Sequence, residues 1–271
     1  MAAPATTGMA SRDDAKPDAY AWLVFAIIAA LGLVDWLVRQ IVVGILPQLK
    51  AEWQLSDGEV GLLAAIVPIM VSAAMLPLAL VIDRWSRVKT IFLMALVWSV
   101  ATIACGFASS YSQLLVARAF IGLGEAAYGP AGFALLAWYF PLHLRSTVIG
   151  GALVAGALGN VLGIALGGTL AQSWGWQNTF IAAGCVSLVV SLMALAIRDY
   201  PTSPLASDRS SGSIAYAART LLRSPTVNLT YLGSASLLFV MSALVTWLPT
   251  YLGRYHGMDI AKAAQTGAIG V

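Results

Sequence analysis

Residues 118–130 read RAFIGLGEAAYGP, and two folds compete for them. Gly122, Gly124 and Ala127 fit the pattern G-x-G-x-x-A, which cradles a dinucleotide only when a strand precedes it inside a βαβ unit. The flanks supply no such unit. From Leu114 to Phe140 the only ionised side chains are Arg118 and Glu125, so the stretch reads as the middle of an apolar helix. Small residues there are explained by close approach of a neighbouring helix. The expected fold is an all-α integral membrane protein, and a nucleotide site is set aside.

Composition agrees. Of the 271 residues, 59% are hydrophobic and 10% charged, against roughly 25% charged in ordinary soluble domains. A bilayer core of ~30 Å takes about 20 residues of helix, and runs of that kind recur at residues 20–46, 59–82, 90–109, 113–139, 147–171, 178–197 and 227–251. An eighth run starts near Ala263 and is truncated at Val271. Residues 1–19 are polar, and the apolar run after them is too long for a signal-peptide core. Cys105 and Cys185 lie inside apolar runs, where the expected role is that of a small buried hydrophobe. The net charge of +3 comes from short loops and gives no reason to expect nucleic acid. No cofactor or metal is expected.

Lys and Arg accumulate on the cytoplasmic side of a membrane protein. With the N-terminus inside, that side holds Arg12, Lys16, Arg84, Arg87, Lys89, Arg145, Arg198, Arg209, Arg219 and Arg223, ten in all, and the outer side holds Lys50, Arg254 and Lys262, three. The expectation is a multi-pass protein of a bacterial inner membrane with a cytoplasmic N-terminus. Its parts are a tail (1–19), a six-helix bundle (20–197), a cytoplasmic linker (198–226) rich in Pro, Ser and Gly, and the start of a second bundle (227–271). Within the linker, IAYAARTLLR is suited to a basic helix on the membrane surface.

Four ionisable residues are left inside spans: Asp35 and Arg39 in the first, Arg118 and Glu125 in the fourth. A charge at the bilayer centre costs at least ~2.5–3.5 kcal/mol, so such groups face a polar cavity or each other. Residues four or seven apart share a helix face. Spans one and four run in opposite directions, which sets both acids near mid-membrane and both arginines nearer the outside. One reading is a static ion network that fixes helix register, with Arg39 free to snorkel outward. The other is a switchable network in which changed pairing loads and releases a proton. Charged first and fourth spans also suit a repeat of three plus three helices in inverted orientation.

Span five carries Gly151, Ala155, Gly159, Gly163 and Gly167 at four-residue intervals. This is a smooth stripe for packing or sliding against another helix. Asn160 on a neighbouring face and Tyr128 are candidates to line the cavity.

The loop DRWSRVK, residues 83–89, exceeds a plain positive-inside turn because Asp83 ends an apolar helix. It resembles the major facilitator superfamily pattern G-x-x-x-D-R-x-G-R-[KR]-[KR]. Asp83, Arg84, Arg87 and Lys89 match, whereas Ala79 and Ser86 stand where the pattern has glycine and Val88 where it has a base. RAFIGLGEA resembles the superfamily pattern R-x-x-x-G-x-G. Together with Asp35, YGPAGFALLAWYFP (128–141) followed by Arg145, and GWQNTFIAAG (175–184), it is similar to the Spinster-like branch. WLPTYLGRYHG (247–257) fits the superfamily. In that branch Arg directly follows the Asp; here Trp36 follows and Arg39 comes a turn later.

The resemblance implies a secondary transporter in which two six-helix bundles rock about a central site, with Asp83, Arg84, Arg87 and Lys89 in a cytoplasmic gating loop. It implies a small organic, lipid-like or anionic solute and protons as partners in the bilayer, and a missing C-terminal half or partner chain. The alternatives are an uncoupled facilitator of the same fold and a non-transporting membrane scaffold. No H-E-x-x-H or G-x-S-x-G signature is present, so no enzyme is expected.

Overall fold

The computed structural model describes residues 17–82, 86–126, 128–199, 222–258 and 262. Its helices are α1 (Ala19–Trp53), α2 (Asp57–Ile82), α3 (Arg87–Gly106), α4 (Tyr111–Glu125), α5 (Tyr128–Tyr139), α6 (Leu142–Trp174), α7 (Trp176–Met193, continued by a 3₁₀ turn Ala194–Ala196) and α8 (Pro225–His256). No strand occurs among the described residues. Among the described residues, seven spans are long and apolar enough to cross a membrane. The expected eighth span and most of the linker lie outside the described residues.

The ends of the helices follow local chemistry. The Asp18 carboxylate accepts from Ala21 N at 2.8 Å and starts α1. Ser56 and Glu59 form a reciprocal cap at the head of α2: Ser56 N donates to Glu59 Oε2 at 2.8 Å and Glu59 N to Ser56 Oγ at 3.3 Å. Ser86 caps α3, its Oγ accepting from Lys89 N. With φ of −67°, that position makes no demand for the glycine of the family pattern. Helix α1 runs about seven residues past its expected end and through Pro47. Packing carries it there, since Leu49 is fully buried and Trp53 meets Trp176 edge-on.

The fourth span, expected as one helix over 113–139, is two. Pro130 has no N–H and its ring crowds the carbonyl four residues back, which is Ala126, the residue after α4. Pro130→Ala restores that donor. We predict slow amide exchange at position 130 in the variant, and fast exchange there would count against this account of the break.

Packing follows an exchange rule. Helix α1 lies chiefly along α6, α2 along α4, and α3 along both α7 and α4, with α7 also touching α1. Exchanging spans one, two and three with four, five and six turns the one–five pair into four–two and the one–six pair into four–three, and leaves three–six unchanged. This is the pattern of an internal repeat of three helices.

Glycines set three of these contacts. A Cβ on Gly167 would lie 2.5 Å from the Ile41 carbonyl oxygen, and Cβ atoms on Gly159 and Gly163 would meet the carbonyls of Leu33 and Leu37 still more closely. The register is regular, 33 with 159, 37 with 163 and 41 with 167, because α1 and α6 run the same way. Gly151 faces Phe25, where a Cβ would stand 3.0 Å from the ring. In the fourth span, a Cβ on Gly122 would lie 2.5 Å from the Val67 carbonyl oxygen of α2, and one on Gly124 would lie 2.7 Å from Trp98 N of α3. The glycines of the nucleotide-like pattern therefore face two helices.

Helix α8 is exposed along most of its length. It is held near its end, where Trp247 packs on the core and Arg254 Nη2 lies 2.7 Å from Asp57 Oδ1. Lys50 pairs with the same carboxylate, and the carboxylate beside Arg254 raises the pKa of that guanidinium above its usual value.

Candidate functional site

Asp35 lies about 24 Å along α1 from Ala19, and Glu125 about 21 Å along α4 from Tyr111, at 1.5 Å per residue. Both acids thus sit near the middle of the bundle, and both are buried. Arg39 joins them: its Nη2 is 2.5 Å from Glu125 Oε2 and 4.0 Å from Asp35 Oδ2. One guanidinium from α1 therefore bridges its own helix to the end of α4. Its Cζ also lies 4.8 Å from the centre of the Trp36 ring.

Arg118 is placed differently from the sequence expectation. Its side chain is fully buried, and its Nε donates to the Leu63 carbonyl of α2 at 2.8 Å. A carbonyl has two lone pairs, so one within a helix can accept a second donor. Gly122 makes this reach possible by letting α4 lie on the α2 backbone one turn further along, with 118 beside 63 and 122 beside 67. Thus Arg39, the arginine given freedom to snorkel, holds the central carboxylates, and Arg118 ties α4 to α2.

Tyr128 closes one side of the acids. Its hydroxyl donates to the Ile28 carbonyl at 2.5 Å, and its ring meets Trp98 edge-on at 5.9 Å. Gly32 leaves room for that hydroxyl, since a Cβ there would stand 2.8 Å from the oxygen. Trp98 in turn donates to Ser187 Oγ at 2.6 Å, linking α3 to α7 behind the site.

Several buried polar atoms around this centre lack a protein partner: Asp35 Oδ1, Glu125 Oε1, Arg39 Nε, Arg118 Nη1 and Asn160 Oδ1. Unpaired buried polar atoms are costly. The four that belong to Asp35, Arg39, Arg118 and Glu125 mark a place built to take further polar partners.

Of the loop residues, Asp83 and Arg84 lie outside the described residues, while Arg87 and Lys89 form the first turn of α3. At that end of the bundle Tyr20 gathers the chain termini of three spans. Its hydroxyl donates to Ala196 O at 2.9 Å and accepts from Arg198 N at 2.6 Å, and Tyr139 donates to Arg198 O at 2.5 Å. Sequence reasoning passed over this cluster because its members are 59 to 178 residues apart.

Fold and site together define a multi-pass helical membrane protein with a charged centre between its first and fourth spans. The chain belongs to the Major Facilitator Superfamily, whose family model matches residues 24–271. It is 27% identical over 281 residues to an MFS-type efflux pump of Mycolicibacterium smegmatis, covering 100% of this chain and 65% of that protein. It is 25% identical over 241 residues to protein spinster homolog 1 of Xenopus laevis, covering 86% of this chain and 46% of that protein. A crystal structure of a bacterial homolog of the human lysosomal transporter Spinster, in an inward-facing and unoccupied conformation, superposes with a TM-score of 0.81 at 24% identity. That match covers 94% of this chain and 60% of the other. The chain thus spans between about half and two thirds of the length of these relatives.

Proposed function

We propose that the protein is a secondary active transporter, Spinster-like, that moves a small organic or amphipathic solute, lipid-like or anionic, by alternating access coupled to protons. The observation that carries this reading is the Arg39 bridge between the buried Glu125 and Asp35. Two carboxylates that share one guanidinium cannot both be fully neutralised by it, and a proton on either one rearranges the pairing. Such a rearrangement acts directly between α1 and α4, so protonation biases how the two helices sit.

In this reading the N-terminus is cytoplasmic, residues 20–197 form the first bundle, and residues 198–226 lead to a second that begins at 227. Asp83, Arg84, Arg87 and Lys89 then sit on the cytoplasmic side as a gating loop. The similarity to an efflux pump and to the Spinster proteins supports transport as the activity. No bond in the solute is made or broken.

The test is uptake in proteoliposomes containing the protein, with and without a proton gradient. Uptake that rises with the gradient is the expected outcome. Uptake that is equal in both conditions favours an uncoupled facilitator, and no uptake of any organic anion or lysolipid overturns the assignment.

A further inference from the structure

Trp36 stands where the branch it resembles places an arginine, and the structure gives it a distinct seat. A Cβ on Gly156 of α6 would lie 2.8 Å from the Trp36 ring, so only glycine leaves the notch in which the indole rests. The Arg39 guanidinium lies over the ring at 4.8 Å, within the ~6 Å range of cation–π attraction. Arg39 is also the most accessible of the four central charges: its side chain is 20% exposed, against 6% for Asp35 and 1% for Glu125, and Arg118 is fully buried. Trp36 itself is 38% exposed. Asn160 is one helical turn beyond Gly156 and therefore on the same face of α6. Its Oδ1 and the Nε of Arg39 are both buried without partners.

From these observations we infer that Trp36, Arg39 and Asn160 form a binding platform for an organic monocarboxylate with a flat apolar body, the carboxylate on Arg39 and the body against the Trp36 ring. This rests on the reading of the central site as the place where solute binds. The chemistry favours this class over its neighbours. A cation would meet the Arg39 guanidinium before it reached Asp35 or Glu125, which are less exposed. A small inorganic anion would leave the exposed indole face wet, and a neutral ring would leave the guanidinium's open donor unused. A carboxylated ring satisfies both at once. A polar substituent on the ring would find the orphan oxygen of Asn160.

The platform also accounts for the glycine at 156. The stripe glycines at 159, 163 and 167 accommodate backbone carbonyls of α1, whereas Gly156, one residue off the stripe, accommodates the Trp36 side chain, as Gly151 does Phe25. Gly156 is a seat for an indole beside the packing seam.

The test is direct binding to the purified chain in detergent, with three probes: benzoate, its neutral analogue benzamide, and acetate, which lacks the ring. We expect benzoate to bind more tightly than either. Trp36→Ala should weaken benzoate about tenfold while leaving acetate unchanged, as expected for loss of a ring stacked beside a cation. Trp36→Phe, which keeps a flat ring, should stay within about threefold of wild type. Gly156→Ala pushes the ring out of its notch from the opposite side and should lose selectivity for benzoate over acetate in the same sense, which guards against a simple folding defect in the first variant. Wild-type affinity of Trp36→Ala for benzoate, equal binding of benzamide and benzoate, or absence of saturable benzoate binding at millimolar concentration would each overturn the proposal. No gradient is present in these titrations. A failed transport assay alongside normal ring-selective binding counts against transport alone, and gradient-driven uptake with Trp36-independent binding counts against the platform alone.

Discussion

Glu125→Gln abolishes the response of transport to a proton gradient while leaving the bundle folded. The glutamine keeps the length and the carbonyl oxygen that Arg39 Nη2 now meets at 2.5 Å, so the bridge between α1 and α4 has an acceptor. It cannot gain or lose a proton. Arg39 retains Asp35, 4.0 Å away on its own helix, so the guanidinium is not stranded. Gradient-driven uptake should fall to the level seen without a gradient, a loss of about tenfold or more, which corresponds to about 1.4 kcal/mol or more of coupling. Exchange between the two sides without a gradient should persist. An unchanged gradient response refutes the assignment of the coupling carboxylate. Glu125→Ala is the contrasting variant: it removes the acceptor and leaves Arg39 only Asp35 at 4.0 Å, a loss that costs up to the ~3–5 kcal/mol of a broken buried pair. Its defect should appear in thermal unfolding as well as in transport.

Gly159→Leu prevents the bundle from assembling. A Cβ at this position already meets the Leu33 carbonyl of α1, and backbone cannot step aside as a flexible side chain can. Three further heavy atoms force α1 and α6 apart along a seam that continues through Gly163 and Gly167. Since overpacking a tight core costs typically ~1–3 kcal/mol per insertion even where side chains give way, the expected loss exceeds about 3 kcal/mol. It should be read as a large drop in melting temperature or as failure to recover monodisperse protein. Gly150→Leu is the control. A Cβ there has nothing within 4 Å, and that variant should melt as wild type does. Equal stability of the two variants would show that the seam does not hold the bundle.

Helices were legible in the sequence to the extent that hydropathy and punctuation decide them. The long apolar runs placed the spans, and the spacing of Gly159, Gly163 and Gly167 marked a packing face before any neighbour was known. The break after Glu125 was available from Pro130 and the glycine before it, but an uninterrupted apolar composition hid it. Pairings across the site were not legible in the same way. Sequence alone grouped two acids with two arginines, yet gave no means of telling which arginine meets the acids. That choice depends on Gly122 drawing α4 onto α2, which gives Arg118 a backbone carbonyl as its partner. The seat of Trp36 depended likewise on a glycine 120 residues away in α6. A side chain's own spacing reports its face, whereas its partner is set by how closely another helix can come.

Asp57 answers two cations at once, Lys50 from the adjoining turn and Arg254 from α8. If Arg254 departs, the carboxylate keeps a counterion, so undocking α8 strands no bare anion on the bundle it leaves. An attachment of this kind behaves as a clasp rather than a weld: it opens at little cost, closes again without searching for a new mate, and grows looser as the surrounding solution becomes saltier.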